Sequence, residues 1–478
     1  MIECLVGSEM CIRDSPVVVL KTGSSAVGSE LTVSHTGSLS GSAELYDALF
    51  ERTGIISVSN PSQLLETLKF LCVVGAPKSK QLVGFTCSGG GATMLADYAE
   101  KIGLSFLPVD PTQEIELAAL LPKIATVSNP LDYTTPIWGQ EDLTYPVFSK
   151  AISAVEAGSA VLVQDYPAEG LDNSKVFYQR DAIAFARATK EAGLPAAICA
   201  TIPENMDIET RQLLISNGVA PMQGIHETLN AISASAEWSQ NRDRILLDIP
   251  KPLSPNLREG QQVMVSEPEG KAWLLANDFA VPQGKVTSGQ NLGAVANELG
   301  YPLALKMVSL HLPHKTEAGA VVLNLSDAAS AIQASIKMQA DVTSYNPLAA
   351  TDQFLLEAMS PKPLAELIVT LRRDPQFGIA LVLGSGGILV ELVGDSVTLL
   401  LPISPRDITR ALKKLRVIGL LNGFRGGPQA DLEKISLQIH RLCIAYTTHQ
   451  DKIAEIEINP LFIYCLLYTS PSPRDTRS

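Results

Sequence analysis

The sequence is poor in aromatic residues, in positive charge and in long apolar runs. Aromatic residues make up 5% of 478, and Asp and Glu (50) outnumber Lys and Arg (37), which gives a formal net charge of −13. A broad basic face for nucleic acid is therefore not expected, because neutralising phosphates needs clustered Lys and Arg. The longest apolar stretch, residues 377–394, contains several glycines and Glu391. It predicts a strand–turn–strand segment and no membrane span.

The seven cysteines form neither a CxxC pair nor a metal-ligand spacing. Isolated cysteines of this kind are typical of reduced thiols in a cytoplasmic protein. The two ends of the chain, residues 1–15 and 465–478, show no periodicity and no capping or turn pattern. Both resemble translated sequencing-adapter sequence, so we expect them to lie outside the protein itself.

Between the two ends, short β-branched runs alternate with amphipathic stretches, which is typical of an α/β protein. Five predicted strands with intervening helices, between residues 78 and 240, indicate a flavodoxin-like doubly wound parallel sheet. One of its helices is predicted to begin at Thr93 and another to span 225–237. A Pro-rich linker follows. After it, the pattern changes to an α+β arrangement with adjacent antiparallel strands.

One histidine lies in a loop of small residues after the first predicted strand, in the segment VSHTGSLSG around His35. Small neighbours leave the ring accessible and allow backbone N–H groups to approach an anion. A neutral imidazole is also a competent nucleophile towards phosphorus. The alternative is an ordinary loop histidine with a single hydrogen bond, and the local composition by itself leaves that alternative open.

Three glycines, Gly89, Gly90 and Gly91, follow a predicted strand and precede a helix. A helix N-terminus made of glycines can cradle an anion, since its N–H groups and its dipole both favour negative charge. Neither the GxGxxG spacing nor the Walker pattern is present. A plain tight turn between strand and helix is the alternative.

A lysine, Lys306, ends the apolar run PLALK, and His314 follows in a polar loop. A lysine that emerges from a buried strand is costly unless an anion accompanies it, and a nucleotide phosphate would supply one. His314 allows the same interpretation as His35. A surface histidine and a lysine that reaches solvent are the alternative.

The segment EIEINPL places Glu455, Glu457 and Asn459 on one face of a predicted strand, because side chains alternate between the two faces. Oxygen ligands that converge in this way suit Mg²⁺ bound to nucleotide phosphates. A solvated strand face is the alternative, although the flanking Ile, Leu and Phe residues predict burial.

These motifs occur in one order, and together they resemble the NDP-forming (ADP-forming) acyl-CoA synthetases, relatives of succinyl-CoA synthetase. The resemblance extends over residues 16–464. It lies in KTGSSAVGSELTVSHTGSLSGS, SGGGATMLAD, SNPLDYT, LKMVSLHLPHKTEAGAVVL, RRDPQFG, GSGGILVEL, NGFRGG and EIEINPL. The implied divisions are the remnant of a CoA-ligase domain at 16–77, a flavodoxin-like CoA-ligase domain at 78–240, a linker at 241–266 and an α+β ATP-grasp domain at 267–464.

The resemblance also implies roles for individual residues. His35 corresponds to the histidine that is phosphorylated at the acyl-CoA site, and His314 to a second histidine that relays the phosphoryl group to the nucleotide site. The implied ATP or phosphate contacts are Lys306, Glu357, Arg425, Gly89, Gly90 and Gly91. The implied metal ligands are Glu391, Glu457 and Asn459.

The implied activity is that of a ligase that forms carbon–sulfur bonds, acyl-CoA + ADP + phosphate ⇌ carboxylate + CoA + ATP. ATP or ADP, Mg²⁺ and CoA are the implied cofactors. Acyl-CoA, a carboxylic acid, phosphate and adenine nucleotide are the implied partners of a cytoplasmic homo-oligomer that binds neither nucleic acid nor membrane. Full-length members begin with a CoA-binding domain and continue to a further metal-binding aspartate, so we expect this chain to lack both and to be incompletely active alone.

Two other functions are compatible with parts of the pattern. The first is a non-catalytic or regulatory homologue that binds acyl-CoA or nucleotide, such as part of a protein acetyltransferase fusion. A binding module of that kind has no need of two exposed histidines. The second is an ATP-grasp carboxylate–amine ligase, which would leave His35 unexplained.

Overall fold

The computed structural model describes residues 15–23, 43–167, 170–171, 173–254, 263–312, 315–386 and 394–464. The chain divides into two compact units, Met1–Pro252 and Leu253–Ser478. The first unit has parallel strands and the second has antiparallel strands. This combination confirms the predicted fold class, and the finer division into domains stays a prediction.

The first unit alternates strands and helices along the chain. Its strands are β1 (Val18–Leu20), β2 (Ile56–Val58), β3 (Gln81–Thr86), β4 (Ser105–Phe106), β5 (Leu131–Asp132), β6 (Ser159–Val163), β7 (Ala196–Ala200) and β8 (Ala220–Gln223). Its helices are α1 (Ala43–Thr53), α2 (Pro61–Val74), α3 (Gly89–Lys101), α4 (Pro111–Leu120), α5 (Glu141–Ser153), α6 (Lys175–Ala192), α7 (Ile208–Ser216) and α8 (Ile225–Leu247).

The main sheet of this unit has the order β4-β3-β6-β7-β8, and the short strand β5 also pairs with β3. All of these pairs are parallel. Counted from β3, the order is 2-1-3-4-5, which is the flavodoxin-like doubly wound order. Ligands of such sheets bind outside the carboxyl ends of the strands, where the strand order reverses. In this unit that place is the edge where β3 and β6 end.

Both faces of the sheet are covered, which explains why its central strands are continuously apolar. In β6, Ala160 and Leu162 join one buried cluster, whereas Val161 and Val163 join another. In β7, Ile198 and Cys199 are divided between the same two clusters. Strands buried on both faces lose the alternation of polar and apolar residues, as expected for a parallel sheet.

Two helix boundaries differ from the predictions. Helix α3 begins at Gly89, with Ser88 as its N-cap, so the predicted start at Thr93 is wrong. The three glycines form its first turn. Helix α8 continues to Leu247, beyond the predicted end at 237 and into the range predicted as a linker.

Helix α2 packs into the core of the parallel sheet. Phe70 is fully buried in the cluster that also contains Val161 and Val163. Lys69 donates a hydrogen bond to the carbonyl of Pro221 at 2.8 Å, and the carboxylate of Glu66 accepts one from the backbone N–H of Gln223 at 2.9 Å. The helix that follows β2 is thus attached to the edge strand β8 through both apolar and polar contacts.

The second unit is built on two four-stranded sheets with antiparallel pairing. Its strands are β9 (Gly284–Ser288), β10 (Leu303–Met307), β11 (Val321–Leu325), β12 (Gln353–Ala358), β13 (Ala365–Asp374), β14 (Gly378–Ser385), β15 (Ser396–Leu400) and β16 (Glu455–Ile463). Its helices are α9 (Glu267–Ala276), α10 (Leu292–Leu299), α11 (Ala328–Tyr345), α12 (Pro405–Leu412), α13 (Ile418–Leu421) and α14 (Leu432–Thr448).

The first of these sheets has the order β11-β10-β12-β9 and the second has the order β15-β14-β13-β16. Leu303, Leu305 and Met307 direct one face of β10 into a buried cluster with helices α10 and α11. Because side chains alternate along a strand, Lys306 belongs to the opposite face. The apolar face of β10 therefore fixes the direction in which this lysine extends.

Two further predictions concern the chain as a whole. The cysteines in the described ranges, Cys72, Cys87, Cys199 and Cys443, are all free thiols, as the sequence predicts. In the same ranges, no helix combines the length and the apolar character that a membrane span requires.

Candidate functional site

Three of the predicted site residues, His35, His314 and Glu391, lie outside the residues that the structure describes. The others fall into two groups on separate parts of the chain. Gly89, Gly90 and Gly91 lie in the first unit, whereas Lys306, Glu357, Arg425, Glu457 and Asn459 lie in the second.

The glycine turn lies where β3 ends at the carboxyl edge of the parallel sheet. Ser88 is extended and makes no side-chain cap, while its backbone N–H donates to Oγ1 of Thr86 at 3.2 Å. Asp132 ends β5 opposite Thr86, and its Oδ2 lies 3.6 Å from the position that a Cβ on Gly89 would take. The first turn of α3 thus combines unobstructed backbone with a nearby carboxylate, at the edge where such sheets bind ligands.

The three glycines are not equivalent, which gives a test of the turn. A Cβ on Gly91 would lie 2.6 Å from Oγ1 of Thr86, whereas a Cβ on Gly90 would meet only Oγ of Ser88 at 3.7 Å. Thr86 is buried in β3, so its side chain cannot give way as readily as an exposed one. We expect Gly91→Ala to destabilise the first unit by roughly 1–3 kcal/mol, as overpacking does. Gly90→Ala is expected to be neutral or to stabilise by up to about 1 kcal/mol. Urea unfolding of both variants measures the difference, and equal stabilities would contradict this geometry.

Lys306 lies beside Glu357 on the polar face of the sheet formed by β10 and β12. Ala304 is paired with Glu357, and Lys306 with Leu355, so Lys306 and Glu357 are diagonal neighbours on one face. Nζ of Lys306 lies 2.8 Å from Oε2 of Glu357, which is 3% exposed. The sequence predicted an anionic partner for this lysine and assigned it to a nucleotide; in the structure, protein carboxylates surround Lys306.

A second carboxylate, Glu267, completes the group that we call the lysine cluster, which consists of Lys271, Lys306, Lys315, Glu267 and Glu357. Oε1 of Glu267 accepts hydrogen bonds from Lys306 at 2.6 Å and from Lys271 at 2.8 Å. Oε2 of Glu267 accepts one from Lys315, and Oε1 of Glu357 accepts one from Lys271. The cluster therefore holds three positive and two negative charges.

The charges of the cluster stabilise one another. Burial alone would raise the pKa of Glu267, but Lys306 and Lys271 outweigh it and hold this pKa well below its usual range. Burial alone would lower the pKa of Lys306, but Glu357 and Glu267 raise it overall. Glu267 and Lys306 therefore stay charged at neutral pH. An anion that enters this face meets fixed positive charge.

The sequence pattern does not single out Glu267, Lys271 and Lys315 as members of this site. Glu267 and Lys271 are four residues apart at the start of α9, a spacing that predicts a salt bridge along the helix. The segment also contains a capping box between Ser266 and Glu269. Both signals describe an ordinary helix start, and neither indicates that the pair faces Lys306.

Arg425 lies in a short turn after helix α13, in the segment NGFRGG. The backbone of Arg425 is left-handed, with φ 53° and ψ 36°. Gly423, two residues earlier, also has a positive φ, of 88°. The guanidinium of Arg425 lies 5.2 Å from the ring centroid of Phe424. A residue other than glycine in this conformation costs energy and is more often found at functional positions.

Glu457 and Asn459 lie on one face of β16, as the alternation predicts, and Glu455 shares that face. All three residues are exposed, while Ile456 and Ile458 between them are half-buried. The burial predicted for this face is therefore wrong. No group of three or more His, Cys, Asp and Glu side chains converges as a metal site within the described ranges. The oxygen atoms of this face could bind a metal ion whose remaining ligands are water molecules or phosphate oxygens.

Comparison with known proteins relates these observations to two families. The family model described as an ATP-grasp domain matches residues 256–465, and the one described as a succinyl-CoA ligase like flavodoxin domain matches residues 8–71. The chain is 32% identical over 209 residues to the beta subunit of acetate–CoA ligase [ADP-forming] II of Pyrococcus furiosus, a match that covers 44% of this chain and 88% of that relative. The chain belongs to the ADP-forming acetate–CoA ligase family. The resemblance predicted from the motifs is thereby confirmed.

A longer relative in this family is acetate–CoA ligase [ADP-forming] I of Archaeoglobus fulgidus, which is 28% identical over 467 residues. That match covers 95% of this chain and 64% of the relative, so the chain spans less than two thirds of the relative's length. Among solved structures, the chain is similar to the dinucleotide forming acetyl-coenzyme A synthetase 1 of Ca. Korarchaeum cryptofilum. The identity is 30%, the match covers 42% of this chain and 87% of that chain, and the TM-score is 0.40.

Proposed function

We propose that this chain carries the nucleotide-dependent part of an acid–CoA ligase reaction, acyl-CoA + ADP + phosphate ⇌ carboxylate + CoA + ATP. The observation that carries the proposal is the lysine cluster, in which three lysines lie together on one face of an ATP-grasp region. Like charges gather at this density only where an anion or a set of carboxylates offsets them. A nucleoside diphosphate supplies the charge and the oxygen atoms that such a cluster binds.

In the proposed reaction the phosphoryl group travels through histidine. Phosphate attacks the thioester carbon, the carbon–sulfur bond breaks, and CoA leaves as an acyl phosphate forms. His35 then attacks phosphorus, which releases the carboxylate and forms a P–N bond. His314 takes over the phosphoryl group and passes it to the terminal oxygen of ADP, which gives ATP and restores the neutral imidazole.

Other predicted residues have supporting roles in this proposal. Lys306, with Glu357 beside it, and Arg425 contact the nucleotide, and the first turn of α3 at Gly89 faces phosphohistidine. Exposed oxygen atoms of Glu457 and Asn459, together with Glu391, would hold Mg²⁺, which supplies charge neutralisation for the phosphates. Carboxylate and amide oxygens are the donors that this ion prefers, so the described residues fit it.

The setting of the reaction belongs to the same proposal. We propose a cytoplasmic homo-oligomer, and the free cysteines of the described ranges support the cytoplasmic location. The relatives are named as ligases, which favours catalysis over a non-catalytic nucleotide-binding homologue.

The test of the relay is phosphorylation of the chain by ATP labelled in its γ-phosphate, with Mg²⁺ present. We expect label that is lost in acid and stable in base, which is the signature of a phosphoramidate. His35→Ala should leave label on His314, whereas His314→Ala should abolish label on both histidines, because the phosphoryl group enters from the nucleotide side. His311→Ala, three positions before His314, is the matched control and should be labelled like the wild type. Label that survives the removal of both His35 and His314 would refute the relay.

A further inference from the structure

The carboxylate of Glu267 has an unusual position in the lysine cluster. It contacts all three lysines, Oε1 with Lys306 and Lys271 and Oε2 with Lys315. A carboxylate that bridges several ammonium groups uses both oxygen atoms in the way a phosphate group would. Glu267 therefore occupies the position from which one anion can reach every lysine of the cluster.

The second carboxylate of the cluster, Glu357, differs from Glu267 in contacts and in attachment. Within the lysine cluster, Glu357 forms ion pairs with Lys271 and Lys306, and it is fixed within the ladder of β12, where its side chain is 5% exposed. Glu267 is the first residue of α9, and its side chain is 23% exposed. Helix ends open more readily than the interior of a sheet. Glu357 is thus the more enclosed of the two carboxylates, and Glu267 is the one with the freer side chain.

The charges of the cluster make Glu267 and a nucleotide phosphate competitors for the same three lysines. With both carboxylates in place the cluster carries a net charge of one positive unit, and without Glu267 it would carry two. A phosphate that contacts the same three lysines would lie beside Glu267, and two anions in one low-dielectric site repel each other strongly. Nucleotide and Glu267 therefore exclude each other from these lysines.

We propose that Glu267 is a built-in competitor for the nucleotide phosphates. Its carboxylate holds the three lysines together when no nucleotide is bound and releases them as phosphates enter. The inference rests on the proposed function, since it assumes that nucleotide binds at the lysine cluster. Glu267 would thereby lower the affinity of the site for nucleotide, because part of the free energy of nucleotide binding is spent on displacing its carboxylate.

The test is calorimetric titration of the full chain with MgADP, for the wild type and for Glu267→Gln. Glutamine keeps the size of the side chain and removes its charge, so we expect the Kd to fall roughly tenfold, as when a competing state populated at nine parts in ten is removed. The melting temperature of unliganded Glu267→Gln should fall, because the lysines lose a counter-charge. MgADP should raise the melting temperature of the variant more than that of the wild type.

Two further variants make the result decisive. Glu269→Gln removes a charge from the same helical turn, where the carboxylate of Glu269 accepts hydrogen bonds from the backbone N–H and the hydroxyl of Ser266, and we expect the wild-type Kd. Glu267→Asp keeps the charge but shortens the reach, so an intermediate Kd is expected even if Glu267→Gln folds poorly. If the wild type binds MgADP and neither Glu267 variant binds it more tightly, the inference is refuted and the proposed function stands. If no MgADP binds to the wild type, the proposed function fails and the inference fails with it.

Discussion

Replacing Lys306 with methionine is expected to weaken MgADP binding by about 2–5 kcal/mol, or roughly 30- to 5,000-fold in Kd. Methionine retains the apolar stem of lysine and removes only its charge and its three N–H donors. The stem of Lys306 leaves β10 beside buried Glu357, and the side chain of Lys306 is 23% exposed. The phosphates would lose a charge-assisted contact, and Glu357 would keep its ion pair with Lys271.

The control for this variant is Lys285→Met in the neighbouring part of the same sheet. Lys285 lies on β9 and pairs with Glu298, and both side chains are about half exposed. Exposed ion pairs contribute about 0–1 kcal/mol, so the Kd for MgADP should be unchanged in this variant. Thermal unfolding of both proteins separates lost binding from lost folding. A Lys306→Met chain that folds and binds MgADP as well as the wild type would refute the assignment of the nucleotide site.

The second large effect concerns the buried carboxylate of Asp181 in helix α6. Its Oδ2 accepts a hydrogen bond from the hydroxyl of Tyr133 at 2.9 Å, and its Oδ1 accepts one from the N–H of Gly139 at 3.0 Å. Both Asp181 and Tyr133 are fully buried. Burial raises the pKa of Asp181 to about 6, although these hydrogen bonds oppose the shift.

The direction of the resulting pH dependence follows from proton binding. An unfolded aspartate has a pKa of about 3.9. Between roughly pH 4 and pH 6 the folded state therefore binds more protons at Asp181 than the unfolded state does, and stability falls as pH rises. A shift of about two pKa units corresponds to a loss of about 3 kcal/mol across this window. The loss is complete above pH 6 and absent below pH 4.

The variant Asp181→Asn should abolish this loss, because asparagine stays neutral. Its amide still accepts one hydrogen bond and donates one, and the hydroxyl of Tyr133 can accept as well as donate. The measurement is urea unfolding at pH 4 to 7, followed by tryptophan fluorescence in a Trp273→Phe background that leaves Trp138 and Trp238 in the first unit. We expect the stability of the aspartate protein relative to the asparagine protein to fall by about 3 kcal/mol over that range.

A control with the opposite sign is available at Asp110, the exposed N-cap of α4. Hydrogen bonds from the backbone and side chain of Thr112 lower the pKa of Asp110. Ionisation of Asp110 therefore stabilises the folded state as pH rises. Asp110→Asn should remove this contribution to the free energy of unfolding, which changes with pH in the direction opposite to that of Asp181. A difference between wild type and Asp181→Asn that is constant from pH 4 to 7 would contradict the role given to Asp181.

The parallel sheet could be predicted from the sequence because each of its strands is recognisable from its own residues. The runs SAVLV in β6 and AAICA in β7 are continuously apolar, which only strands covered on both faces require. The start of α3 could not be predicted in this way, since glycine has a poor helix propensity and the sequence GGG indicates a turn. In the structure Gly91 packs closely against Thr86 of β3, and local composition does not predict a contact between two elements.

The candidate site shows the same distinction. The position of Lys306 on a strand follows from its apolar neighbours, so the sequence predicted it. The partner Glu267 lies 39 residues earlier in the chain and has the pattern of an ordinary helix start. Only the tertiary structure brings the start of α9 and Lys306 of β10 together. For β16, alternation correctly placed Glu457 and Asn459 on one face, but the flanking apolar residues did not determine that the face is exposed.

The attachment of helix α2 bears on how this protein can be divided. Phe70 lies in the core of the parallel sheet, and Glu66 and Lys69 hold the last strand of that sheet. A chain cut between residues 77 and 78 would uncover an apolar face on the downstream piece and leave a detached amphipathic helix on the upstream one. Dissection of the chain into separately expressed pieces therefore belongs after α8, near Pro252, where the two compact units meet in sequence.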